Sequence, residues 1–211
     1  DMGAEILFET ARFWISIGDF IPAKGDRFCI NCVTGPDEYT ALVDNNAYTN
    51  YMAGMNLAYA VCVAEWMRGK KPDEYRAMVE KIGMEEGGVE LWRKAANTMY
   101  LFSDESGIIP QDDGFLFKKR VLIDEIKDEL PLLLHRHYLD IYRYQLCKQP
   151  DVLLMMFLLD EKFNKKDIKK NYDYYEPITT HDSSLSPSIF SIMAGESGYM
   201  DEAYDFLRYS V

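Results

Sequence analysis

AYTNYMAGMNLAYAVCVAEWM, residues 47–67, carries alanines, methionines and aromatic residues around most of its circumference and meets no charge until Glu65. At 3.6 residues per turn such a run forms a helix that is apolar on most sides, as an inner wall is. Asp44, Asn45 and Asn46 stand just before it, and each residue type can satisfy the free N–H groups of a first turn. Towards the N-terminus, residues 4–20 place Ile6, Leu7, Phe8, Ala11, Phe13, Trp14, Ile15 and Ile17 on more than one face, which predicts a second, largely buried helix. A loop with Pro22 and Gly25, a short apolar strand from Phe28 to Val33, and the turn Thr34-Gly35-Pro36-Asp37 connect the two.

Beyond Gly69, Pro72 and Asp73 open a more polar helix to about Ile82, and Val89 to Leu101 gives another with Leu91, Trp92, Ala95 and Met99; both read as outer-layer helices. From Phe102 to Lys119 the signals are those of turns, Ser106-Gly107 and Asp112-Asp113-Gly114 before Phe115-Leu116-Phe117, and they predict a small β-hairpin. Helices resume as a broken segment from Leu130 to Leu146, then Pro150 to Phe163, Pro187 to Gly195 and Tyr199 to Tyr209. The pattern is all-α with one hairpin excursion. Helix and loop lengths vary too much for a fixed-period solenoid, and pattern alone leaves a double-layered helical barrel and a large irregular bundle both open.

The chain has 211 residues, 48% of them apolar, enough for one compact domain spanning 1–211. Its net charge of −12 argues against nucleic acid and anionic membrane as partners. The longest apolar run, Val152 to Leu159, is far below the roughly 20 residues a bilayer requires. Without a basic, apolar leader at Asp1 to Glu5, the expected compartment is the cytoplasm. Cys29, Cys32, Cys62 and Cys147 lie in apolar surroundings and are expected as free thiols; Cys29 and Cys32 have C-x-x-C spacing, but no second pair completes a tetrahedral site, so no metal is expected. Asp1 directly before a buried-type helix and Val211 closing an amphipathic one suggest a piece of a longer polypeptide.

Three polar segments precede helices. In Gly35-Pro36-Asp37-Glu38-Tyr39-Thr40 a carboxylate held between a Gly-Pro turn and a tyrosine, at the mouth of a mostly buried helix, suits a general acid through partial desolvation; read blandly, Glu38 is a solvated turn residue. In Lys148-Gln149-Pro150-Asp151 a cation and an amide together offer donors and an acceptor for sugar hydroxyls, although they equally suit surface charge and a turn. In Thr179-Thr180-His181-Asp182-Ser183-Ser184-Leu185-Ser186-Pro187-Ser188, Ser186 as cap and Pro187 at the first helical position turn a helix N-terminus towards the preceding loop, an anion site in outline. His181, Ser183 and Ser184 can add donors to the same anion. Asp112 and Asp113 read as a hairpin tip with no chemical role.

Gly-Pro-Asp-Glu-Tyr with Val-Asp-Asn-Asn-Ala-Tyr-Thr-Asn, residues 35–39 and 43–50, is very similar to the catalytic segment of the glycoside hydrolase family 65 phosphorylases, the maltose, kojibiose and trehalose phosphorylase group. The resemblance implies that Glu38 is the general acid, that Lys148 and Gln149 contact the transferred glucose, and that His181, Ser183 and Ser184 hold inorganic phosphate. It implies an (α/α)6 barrel of which this chain is the C-terminal part, the Trp-Asp pair that grips the glucose lying outside these residues. The implied reaction is inverting phosphorolysis of an α-glucosyl disaccharide to β-glucose 1-phosphate and a released sugar. Phosphate is then a co-substrate with no further cofactor, and the full-length protein is expected as a homodimer. A trehalase-like hydrolase of the same family and an inactive helical sugar-binding fragment are the rival readings.

Overall fold

The computed structural model describes residues 2–210; Asp1 and Val211, on which the reading of the chain ends rests, lie outside the described residues. These residues form two compact units, one made of residues up to Asn31 with Thr49–Leu101, the other of Cys32–Tyr48 with residues 102–210.

In the first unit α1 (Met2–Ile17) stops at Gly18, where the chain turns into an antiparallel hairpin of β1 (Gly18–Ile21) and β2 (Arg27–Ile30), Gly18 facing Ile30 and Ile21 facing Arg27. Gly25 closes that hairpin at φ 70°, a left-handed conformation with little cost only for glycine. The long helix α2 (Ala47–Lys70) buries Ala53, Leu57, Ala60, Ala64 and Met67, a stripe at three- and four-residue spacing. Helix α3 (Pro72–Ile82) starts on Pro72 and ends on left-handed Gly83, and α4 (Gly88–Thr98) buries Val89, Trp92 and Ala95. Helix α1 is less buried than its sequence suggests. Among its described side chains only Phe8 and Ala11 are fully covered, Phe8 tilted against Trp92 at 5.3 Å between ring centres, while Ile6 and Phe13 are exposed. Helices α3 and α4 pack on α1, and Asn56 of α2 donates to its Thr10 Oγ1 at 2.9 Å, contacts that leave Ile6 and Phe13 uncovered.

The second unit begins with the 32–48 loops. The hairpin expected between Phe102 and Lys119 is absent; β3 (Lys119–Arg120) pairs in parallel with β4 (Tyr144–Gln145). The reason lies in where the backbone groups of 109–113 bond. Ile109 N–H donates to Asn171 Oδ1 at 2.9 Å, Gln111 O accepts from Ala47 N–H at 2.9 Å, and Asp113 N–H donates to Asp44 O at 3.0 Å, so the segment is stitched to residues far away in sequence and not to itself. The broken helix of 130–146 resolves into one-turn pieces, following α5 (Ile123–Ile126): α6 (Leu132–His135) and α7 (Tyr138–Ile141).

Helix α8 (Val152–Leu158) is shorter than expected, and a helix the hydrophobic pattern did not reveal, α9 (Lys165–Tyr175), follows it. Asn164 caps α9, its Oδ1 accepting from the N–H groups of Lys166 and Asp167 at 3.0 Å. Helices α10 (Ser186–Ser197) and α11 (Met200–Ser210) complete the unit, α10 packing on α8, α9 and α11. No described helix is long and apolar enough to cross a membrane. Among the described residues the cysteines form no disulfide, and Cys32 and Cys62 are exposed where apolar surroundings were expected.

Candidate active site

All three polar segments belong to the second unit. The turn 36–40 distributes its side chains in opposite senses. Asp37, Tyr39 and Thr40 are buried, whereas the Glu38 side chain is 57% exposed. Glu38 Oε2 accepts from Lys148 Nζ, and Gln149 Nε2 donates to Pro36 O. The structure therefore brings Glu38, Lys148 and Gln149 together, the last two held by the turn itself.

Beneath them lies a buried polar cluster that the sequence reading missed. Asp37 Oδ1 accepts from the backbone N–H of Lys148 at 2.8 Å and of Tyr39 at 3.2 Å, and Oδ2 accepts from Gln111 Nε2 at 2.8 Å. Gln111 Oε1 takes the Cys147 thiol at 3.1 Å, and Asn46 Nδ2 donates both to Gln111 O at 3.2 Å and to Asp151 Oδ2 at 3.0 Å. Asp151 Oδ1 is buried with no hydrogen-bond partner. The signal available in sequence was the density of Asp, Asn and Gln in short loops beside apolar runs, since buried amides and carboxylates must pair with one another. Asp112 is no exposed hairpin tip either: it is buried, with Lys118 Nζ 3.6 Å from its carboxylate.

Burial pushes Asp37 up to about 6 against the Gln111 hydrogen bond, and burial together with the charge of Asp37 pushes Asp151 up to about 8 against the Asn46 bond. The folded chain thus holds protons that the unfolded chain has released from about pH 4 upward, so these two groups make stability fall as pH rises through that range. His181 acts oppositely up to its ordinary value of 6.5, because burial lowers it to about 4. Above pH 6.5 the Asp151 contribution remains, worth at most about 1.4 kcal/mol per pH unit. Urea midpoints are expected to drop between pH 6.5 and 8, and Asp151→Asn is expected to flatten that drop; an unchanged slope in the variant would contradict the assignment.

The third segment is more self-contained than its sequence implied. Ser186 does not cap α10: Leu185 occupies the cap position, and the buried Ser186 hydroxyl lies 2.9 Å from His181 Nδ1. Ser183 takes two N–H groups at this end, Leu185 N–H donating to its Oγ at 3.4 Å and Ser186 N–H to its carbonyl at 3.1 Å. The His181 ring stands edge-on to Phe190 at 4.5 Å and tilted on Phe206 at 4.8 Å. Desolvated among these rings it is neutral at pH 7, so it brings one N–H to a ligand and no charge. His181, Asp182, Ser183 and Ser184 border a cavity of about 500 Å³ with Pro131, Pro187, Tyr209 and Ser210. Glu38 does not line that cavity; the tie between the two segments runs through the next residue, Tyr39, whose hydroxyl donates to Asp182 Oδ2 at 2.7 Å.

Residues 1–211 match the description of the glycosyl hydrolase family 65 central catalytic domain. The chain is 64% identical over 208 residues to an alpha,alpha-trehalose phosphorylase of Thermoanaerobacter brockii, covering 98% of this chain and 27% of that protein. It is 40% identical over 210 residues to a kojibiose phosphorylase of Halothermothrix orenii, covering 99% and 27%. A solved structure assigned as a kojibiose phosphorylase from the human microbiome superposes with a TM-score of 0.88 at 35% identity, over 98% of this chain and 28% of that one. The chain accordingly spans little more than a quarter of the length of these relatives. With its whole length matched and its fold shared, the chain belongs to glycosyl hydrolase family 65, within the central catalytic domain.

Proposed function

We propose that the protein carrying this chain performs inverting phosphorolysis of an α-glucosyl disaccharide within an (α/α)6 barrel, with α,α-trehalose as the first substrate to test. Two trehalose phosphorylases, at 64% and 46% identity, stand above the kojibiose and maltose phosphorylases at 40% and below. Glu38 delivers its proton to the glycosidic oxygen as the bond from that oxygen to C1 of the glucose breaks. An oxygen of phosphate forms the new bond to C1 from the opposite face, giving β-glucose 1-phosphate and a free sugar. Phosphate is already an anion at neutral pH and needs positioning more than activation, so phosphorolysis asks the protein for one acid and no carboxylate base.

Lys148 and Gln149 hold glucose hydroxyls, so the pair between Lys148 and Glu38 opens when sugar enters. Ser183, Ser184 and the neutral His181 hold phosphate as hydrogen-bond donors. The observation that carries the reading is the placement of Glu38 beside Lys148 on a turn whose next residue is bonded to the 179–188 loop. The test is product analysis with the complete protein: trehalose and phosphate are expected to yield β-glucose 1-phosphate, with no turnover once phosphate is removed. Equal release of free glucose in phosphate-free buffer would mean a hydrolase.

A further inference from the structure

We propose that Tyr39 is a positioning residue, its hydroxyl tethering the loop of Asp182 to the turn that carries the proton donor and so setting the distance between acid and phosphate. The proposal rests on the phosphorolytic reading above and adds to it a residue that touches neither sugar nor phosphate. Its side chain is 1% exposed and packs among Val121, Ile126, Leu132, Ile141 and Leu146, so the ring is fixed and its hydroxyl is aimed at the 179–188 loop, where Thr180 is a second hydrogen-bond partner. The hydroxyl donates to Asp182 Oδ2 at 2.7 Å, a short bond to a carboxylate and one of the stronger kinds of neutral-donor contact.

Three consecutive residues then register the turn against two other segments. Asp37 fixes the backbone of Lys148, Glu38 meets its ammonium, and Tyr39 reaches the 179–188 loop. The tether also addresses a difficulty in that loop. Asp182 is an acid between His181 and Ser183, on the border of the cavity where an anion is to bind. A donor that occupies one carboxylate oxygen turns it towards the core, away from a like charge. The neighbouring His181 sits at φ 56°, an uncommon conformation for a non-glycine residue that persists only where surrounding contacts impose it. Burial, and then the Asp182 bond, raise the Tyr39 hydroxyl above its ordinary value, so it remains a donor throughout the neutral range.

The experiment is a pair of single variants and their combination in the complete protein, Tyr39→Phe, Asp182→Ala and the double change, with initial rates measured while phosphate and disaccharide are varied separately. Tyr39→Phe keeps the ring and its packing. It is expected to raise KM for phosphate about tenfold or more, the scale of a hydrogen bond to a charged group, and to leave KM for the disaccharide within about twofold. Asp182→Ala should shift KM for phosphate in the same direction by a smaller factor, because it also removes a charge that opposes the anion, and the double variant should be no worse than Tyr39→Phe alone, because the Tyr39–Asp182 contact is already gone. Asp182→Asn retains an oxygen for the hydroxyl and should hold KM for phosphate near that of the parent. An unshifted phosphate KM in both single variants, or equal rises in both KM values, overturns the tether while leaving phosphorolysis intact. A parent protein that turns over without phosphate overturns both. Should Tyr39→Phe fail to fold, Asp182→Ala and Asp182→Asn decide the matter alone.

Discussion

Glu38→Gln in the complete protein is expected to lower kcat by about 10²–10⁴-fold, the usual contribution of a positioned general acid, while the fold survives. An amide has the volume of the acid and retains an oxygen for Lys148, but it has no proton to give to a departing sugar. Stability should change little, because the pair it weakens is more than half exposed on the Glu38 side and exposed pairs contribute only about 0–1 kcal/mol. That combination, a large kinetic loss beside an unmoved melting temperature, separates proton donation from scaffolding. A substrate whose leaving group departs without protonation, such as α-glucosyl fluoride, should restore much of the lost rate. Retention of turnover within tenfold of the parent on the natural disaccharide would remove Glu38 from the reaction.

Much of this arrangement could be read from sequence, and the parts that could not have identifiable causes. The apolar run of 47–67 and the start of α3 at Pro72 are local signals, and they appear as helices where expected. Helix α9 escaped because KKDIKKNYDYY is too polar to register as a hydrophobic face; Ile168, Asn171, Tyr172 and Tyr175 nonetheless form its buried stripe, and Asn164 was the usable cue. The hairpin between 102 and 119 was lost to long-range bonding from Asn171, Ala47 and Asp44, none of which is predictable from turn chemistry. At the site, the motif directed attention to Glu38, Lys148 and Gln149, which do meet. It gave no sign that Asp37, next to Glu38, would be wholly buried, because two adjacent acidic residues look alike until the fold assigns one to each side of the turn.

That assignment explains why one turn can serve both chemistry and architecture. Asp37 can accept three hydrogen bonds only in the interior, where its partners Lys148 N–H, Tyr39 N–H and Gln111 are fixed. The backbone direction that buries Asp37 and Tyr39 presents Glu38 between them to the outside. The price of this packing is a pair of elevated acids in the core, Asp37 and Asp151, whose ionisation the surrounding amides only partly offset.

Gly35→Ala is the substitution expected to damage that architecture most for the fewest atoms added. A Cβ at residue 35 would stand 2.4 Å from both Asn46 Nδ2 and Asp151 Oδ2, and 2.8 Å from Asn46 Cγ. Neither neighbour is the free end of a flexible chain: Asn46 is fully buried and doubly bonded, and Asp151 is 2% exposed. The methyl group must therefore push the Asn46–Asp151 bond apart. Overpacking of this kind costs about 1–3 kcal/mol, and separating a buried amide from a carboxylate adds about 1.5–3 kcal/mol, a large share of the 5–15 kcal/mol that typically holds a domain together. Gly69→Ala supplies the contrast, since nothing lies within 4 Å of its added Cβ and it sits in the last turn of α2; there the change should be neutral or stabilising by up to about 1 kcal/mol. In thermal melts of the complete protein, Gly35→Ala should lower the transition of the domain that contains this chain, or abolish soluble expression, while Gly69→Ala does neither. Because the displaced Asp151 would gain access to water, any folded Gly35→Ala protein should also lose part of the stability decline between pH 6.5 and 8. Equal melting temperatures for the two variants would show that the close approach of Gly35 to Asn46 and Asp151 does not constrain the turn that presents Glu38.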